Sequence, residues 1–189
     1  MKFKNAFGIC VIFLAFSHPS VGQEEADSLS LDVPLNLPKI GAPYIADRIA
    51  DWSLECVRGE DGFEICEMTQ LLLNKQQQPM SEISILRLTN DNGIVAGANI
   101  IVPLETLLTI PLTISFDDEN VKQYPYSFCN AIGCIVSIGL NANEVNILKK
   151  GTQAYISVVH ISQPNTPITF GISLKGFTAA FEKTTTVRR

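Results

Sequence analysis

The sequence predicts a mainly β fold, an antiparallel two-sheet sandwich with one short inserted helix and a short C-terminal helix. Three observations carry that expectation. Apolar and polar residues alternate in short runs, turn chemistry separates the runs, and four cysteines stand where neighbouring runs would meet. The strands are too short and irregular for a membrane barrel, whose segments run to about ten residues with a lipid-facing band.

The chain opens with Lys2 and Lys4, then stays apolar from Ala6 to Phe16. A basic start followed by an apolar run of this length reads as a secretory signal over residues 1–22, with small Ser20 and Gly22 ahead of the cut. Ser17, His18 and Pro19 end the run too early for a spanning helix, so no membrane-spanning segment is expected after cleavage. Cys10 lies inside the run and is not read as a lipid attachment point. Cleavage would remove two lysines and no acids, which takes the net charge from −5 to −7. That acidity argues against a nucleic-acid partner and against an anionic lipid surface. Residues 23–49 hold Glu24, Glu25 and Asp27 followed by Pro34, Pro38, Gly41 and Pro43, the composition of a flexible leader.

The domain is expected over residues 50–183, with residues 184–189 as a tail. Asp51 to Cys56 alternates as a half-buried strand, and Glu60-Asp61-Gly62 turns the chain into a second strand from Phe63 to Leu73. Glu82 to Thr89 and Ile94 to Val102 flank the turn Asn90-Asp91-Asn92-Gly93, with Gly97 a candidate bulge. Pro111 to Phe116 is apolar and β-branched and ends at Asp117-Asp118-Glu119-Asn120. Tyr124 to Cys129 and Cys134 to Leu140 flank a tight four-residue link. Asn141 and Glu144 have capping-box spacing, Val145 and Leu148 form a buried stripe, and Gly151 supplies a stop, so a helix is predicted there. Two further strands follow. Ala154, Ile156 and Val158 share one face of the first, and Ile168, Phe170, Ile172 and Leu174 share one face of the second. A short helix is expected from Phe177 to Glu182.

Cys56, Cys66, Cys129 and Cys134 remain after cleavage. An even count in an exported chain argues for disulfides, since the space outside the inner membrane is oxidising. Three pairings exist on paper. Cys56–Cys66 and Cys129–Cys134 are preferred, because each closes a short loop between segments that read as adjacent strands. The rival reading is a four-cysteine zinc site, but the intervals of nine and four residues fit its usual spacing of two to four poorly. There is no Cys-x-x-Cys pair for redox chemistry.

Asp51-Trp52-Ser53-Leu54-Glu55-Cys56, Cys66, Phe128-Cys129-Asn130-Ala131-Ile132-Gly133-Cys134, Leu148-Lys149-Lys150-Gly151 and Ile172-Ser173-Leu174-Lys175-Gly176-Phe177-Thr178-Ala179-Ala180 together resemble the invasion-associated locus B family. The similarity spans about residues 50–182. It implies export by an alphaproteobacterium and a cell-envelope setting. Some proteins like this are associated with virulence and host-cell entry, notably of erythrocytes, while many occur in free-living species. No catalytic residues are carried over. One departure is that Pro103-Leu104-Glu105 stands where Pro-Leu-Gly would be expected.

The residues show no catalytic constellation. His160 has no recognisable nucleophile or acid motif around it and reads as a strand-end histidine. Asp117 to Asn120 offers calcium-type oxygens without EF-hand spacing and reads as a solvated turn. Trp52 reads as core. Tyr124, Tyr126 and Phe128 alternate around Pro125, so they are expected to share one face of a strand; core burial is the preferred reading, and they form a candidate partner surface if exposed. The expectation is therefore a non-enzymatic protein, without metal or cofactor, that meets a protein partner in the envelope or on a host surface. Its expected address is the periplasm, with outer-membrane association or secretion as the other destinations. The alternative is a periplasmic small-ligand binder or hydrolase, which needs a concave polar pocket around His160.

Overall fold

A computed structural model describes residues 38–74, 77–89, 92–116 and 121–188. The predicted signal sequence, the predicted leader up to residue 37, and residues 75, 76, 90, 91, 117–120 and 189 lie outside the described residues.

Twelve strands and two helices follow one another as β1 (Pro43–Ile49), β2 (Trp52–Arg58), β3 (Glu64–Leu73), β4 (Pro79–Thr89), β5 (Ile94–Val102), β6 (Leu112–Ser115), β7 (Val121–Tyr124), β8 (Phe128–Asn130), β9 (Gly133–Asn141), α1 (Ala142–Lys150), β10 (Gln153–Val159), β11 (Pro167–Ser173), α2 (Phe177–Lys183) and β12 (Thr186–Arg188). The large sheet runs β1-β2-β3-β4-β5-β9-β8, with β12 added in parallel to β4. The small sheet runs β11-β10-β6-β7 and is antiparallel throughout. Period-2 alternation sends one set of side chains inward from each sheet. Trp52, Met68, Ile85, Ile100 and Leu140 meet Leu112, Ile114, Ile156 and Phe170 in a single core, all at 1% exposure or less.

Two side chains close the sandwich where β11 nears β3. The Gln70 amide accepts from the Ser173 backbone N–H at 2.8 Å and donates to the Ser173 carbonyl at 3.1 Å, so it stands in for a strand's peptide group. Trp52 Nε1 donates to the same carbonyl at 3.0 Å. Trp52 is 1% exposed and meets Phe177 edge-on, with ring centroids 5.6 Å apart, so it is core.

The first helix follows its predicted caps. The Asn141 side chain accepts from the Glu144 N–H, and the Glu144 carboxylate returns to the Asn141 N–H at 2.8 Å. Gly176, at φ +85°, begins α2. A Cβ there would lie 2.6 Å from the Ile49 carbonyl oxygen, which accounts for the Gly-Phe pair that closes the family-like motif.

Three local expectations change. Pro43–Ile49, read as the end of the leader, is an edge strand paired with β2. Pro43 and the preceding Pro34, Pro38 and Gly41 hid it, yet Pro is allowed at the first position of an edge strand. Lys183 pairs with its Asp47 at 2.6 Å, and that ammonium holds the Asp47 carboxyl below the usual carboxylate range. At the other end, Thr186–Arg188 is not a tail. It occupies the gap where β3 and β4 part, with the Thr185 N–H on the Cys66 carbonyl at 2.8 Å. Finally, the register shift in β5 falls between Ile94 and Ala96, and Gly97 pairs regularly with Leu86 and Gly139. A side chain at Gly97 would press on Leu88 at 3.1 Å, so the glycine answers to close packing and not to a bulge.

Candidate functional site

Both predicted disulfides are formed, each between directly opposed residues. Cys56 pairs with Cys66 across β2 and β3, and Cys129 with Cys134 across β8 and β9. They brace the two flanks of the large sheet. All four sulfurs are engaged, and among the described residues no group of His, Cys, Asp and Glu has metal-site geometry.

The proposed aromatic surface divides. Tyr124 ends β7 in the small sheet, Tyr126 lies in the link, and Phe128 begins β8 in the large sheet. The three therefore do not share one strand face, because Pro125 lets the chain cross from one sheet to the other. Tyr124 and Tyr126 pack against the core, and burial pushes the Tyr126 phenol up to about 12. The Tyr126 hydroxyl is buried with no hydrogen-bond partner among the described residues. Phe128 alone is open, at 57% exposure.

Phe128 belongs to a larger surface, the outer face of the large sheet. Register defines it. One cross-strand row runs Phe128, Ile135, Ile101, Glu82 and Leu71 over β8, β9, β5, β4 and β3. The next runs Ser137, Asn99, Ser84, Thr69, Ser53 and Arg48, all polar. Beyond it Ile45, Glu55 and Glu67 lie in line, and then Pro43, Val57 and Ile65. Both helices bury their apolar residues in the core on the opposite side. On this face Thr69, Ser84 and Ile135 at its centre are buried, and the open positions lie around them. Leu71 is 59% exposed, and Ile45, Val57, Ile65, Met80 and Ile132 are exposed as well. Two hollows of about 300 and 370 Å³ meet at Leu71 and Glu82, which line both.

Three carboxylates stand in this setting. Glu55 directly opposes Glu67, and Glu82 lies on the adjoining strand. Burial raises the Glu67 carboxyl above its ordinary value, and Glu55 raises it further while the Ser84 hydroxyl opposes the shift. Burial also raises Glu82, with Glu55 and Glu67 adding to it. Among the described residues none of the three forms a salt bridge. The nearby Arg48 donates instead to the Ser53 hydroxyl at 3.2 Å. Sequence reading missed this trio because residues 55, 67 and 82 come together only once the pairing of three strands is known. Their common signal was an acid on the polar parity of each strand.

His160 has more company than its sequence suggested. Its Nδ1 accepts from the Ser162 N–H at 3.1 Å and lies 2.8 Å from the Ser162 hydroxyl, and its Nε2 is 3.2 Å from the Glu105 carboxylate. The Ser162 N–H already occupies the Nδ1 lone pair that a general base would use. His160 lines neither of the two hollows on the large sheet. The contacts pin the 103–110 loop to the end of β10, where Thr106 bridges His160. Glu105 itself sits at φ +66°, a left-handed conformation in which glycine carries no penalty. That is the position at which the sequence departs from Pro-Leu-Gly.

Fold and cysteines together define a β-sandwich whose large sheet is bound at both flanks by cross-strand disulfides. Residues 52–185 match the family model described as Invasion associated locus B (IalB) protein, and the chain belongs to this family. An invasion protein B homolog of Brucella abortus is 28% identical over 187 residues, covering 97% of this chain and 96% of the relative. Invasion protein B of Bartonella bacilliformis is 27% identical over 191 residues, covering 100% and 99%. The crystal structure of invasion associated protein b from Bartonella henselae superposes with a TM-score of 0.60 at 25% identity, over 71% of this chain and 90% of that one.

Proposed function

We propose that this chain is an exported envelope protein that works by protein–protein contact and carries out no catalysis. The observation behind the reading is the outer face of the large sheet, where exposed Leu71, Ile132 and Phe128 accompany half-buried carboxylates. Such a face with large exposed apolar residues is characteristic of an interaction surface. Two disulfides support an oxidising compartment. The periplasm is the proposed address, with attachment to the outer membrane or release as further destinations. The names of the relatives support contact with a host cell during invasion as the biological setting.

Crosslinking in the intact envelope, followed by identification of the attached polypeptide, tests this reading. A reproducible adduct is expected under conditions in which Cys56–Cys66 and Cys129–Cys134 are oxidised. The reading fails if fractionation finds the chain reduced in the cytoplasm, or if no polypeptide is captured from the envelope or from host-cell surfaces.

A further inference from the structure

The partner's chemistry can be read from the same face, an inference that rests on the contact reading above. Four kinds of occupant are conceivable, and charge separates them. A second copy seated face to face would set Glu55, Glu67 and Glu82 against acids of the same kind, since a twofold interface brings identical patches together. The chain's own leader is no better suited. Residues 23–36 carry Glu24, Glu25, Asp27 and Asp32 and no lysine or arginine. An anionic lipid surface would be repelled. A basic polypeptide is the occupant that fits.

The geometry refines this. Glu55 and Glu67 are a directly opposed like-charge pair, an arrangement that costs a sheet stability, and Glu82 adds a third charge on the next strand. Glu82 stands within the row of Leu71, Ile101 and Phe128, and Val57 and Ile65 form the row beyond Glu55 and Glu67, with one polar row between the two acidic positions. We propose that the outer face of the large sheet docks a basic protein segment, its lysine or arginine heads on Glu55, Glu67 and Glu82 and its apolar side chains on Leu71, Ile101 and Phe128.

The first test uses a short soluble peptide alternating lysine and valine, titrated into the oxidised protein and followed by amide chemical shifts. Shifts confined to β2–β5, β8 and β9 are expected. The triple variant E55Q/E67Q/E82Q should weaken binding by about tenfold or more, because the carboxylates are half-desolvated. A control that removes three charges elsewhere, E60Q/D61N/E182Q, should change it by less than about twofold, as screened distant charges do. Equal weakening in the control, or shifts on the small sheet, overturns the inference. The second test places a photocrosslinking residue at Leu71 or at Tyr155 in the intact envelope. An adduct at Leu71 that the triple variant abolishes supports the basic partner. An adduct at Tyr155 alone overturns the face while leaving the contact reading standing, and no adduct at either site, with none in the crosslinking above, fails both.

Discussion

The two outer faces of the sandwich are built by the same period-2 rule and differ in what they display. On the small sheet the outward positions are Thr113, Ser115, Val121, Gln123, Gln153, Tyr155, Ser157, Val159, Pro167, Thr169, Gly171 and Ser173, without a single charged side chain and with Val121 as an exposed apolar residue at its edge. Their polar groups meet one another. Ser157 and Thr169 hydroxyls lie 2.8 Å apart, and the Tyr155 hydroxyl donates to the Gln153 carbonyl oxygen at 3.2 Å. On the large sheet the outward positions mix exposed Leu71 and Phe128 with three carboxylates that repel one another. A face whose polar groups satisfy one another can rest against water. One that keeps like charges half-desolvated beside apolar side chains gives up stability, the cost that the proposed basic partner would offset.

The disulfides belong to this contrast, since both lie in the large sheet. Replacing Cys56 and Cys66 together by alanine should cost about 2–3 kcal/mol, from the chain entropy of the opened loop. Denaturant unfolding of the double variant measures it. A loss well under about 1 kcal/mol would mean the braced flank is already rigid without its sulfurs.

A smaller loss is expected at the joint between the faces. Lys122, on β7 of the small sheet, pairs with Glu144, whose carboxylate also completes the cap of the helix that follows β9. Glu144 raises the Lys122 ammonium above its ordinary value through their hydrogen bond. Glu144→Ala removes both contacts from a residue that is 5% exposed and should cost about 1–2 kcal/mol. Thermal unfolding followed separately by Trp52 fluorescence and by far-ultraviolet dichroism would show whether the sheets then melt together.

Glu67→Gln should act in the opposite direction. The folded Glu67 carboxyl holds its proton to higher pH than it does unfolded, where the ordinary value is 4.5. Its contribution to stability is therefore present below that range and lost as pH rises through the raised value. At neutral pH the amide should stabilise the fold by about 0.5–1 kcal/mol, with the gain vanishing below roughly pH 4. Melting temperatures across pH for the two proteins decide it. A destabilised variant at pH 7 would show that the trio is satisfied within the chain, and the contrast between the faces would lose its basis.

What could be read from sequence follows the same division. Strand interiors, both disulfide pairs and the capped helix were legible because each is a local signal, alternation within a run or residues a few positions apart. Pro43–Ile49 and Thr186–Arg188 were not, since their pairing is decided by distant strands. Nor was the acidic trio, which needs the register of β2, β3 and β4 at once. At Tyr124 to Phe128 the preferred core reading holds for Tyr124 and Tyr126, while the shared strand face does not, since the chain leaves β7 before Pro125 and only Phe128 is open.

The smallest effect is expected on the neutral face, and it limits the whole comparison. Ser157→Ala breaks the hydroxyl pair with Thr169, yet both groups are open to water and each can take a solvent partner. The change in stability should stay within about 0.5 kcal/mol and should not vary with pH, because no titratable group is touched. If Ser157→Ala costs as much as the cysteine pair, or if its cost changes between pH 4 and pH 7, then the small sheet also holds a strained surface. Asymmetry between the faces would then no longer single out Glu55, Glu67 and Glu82 as the place where a partner supplies what the fold leaves missing.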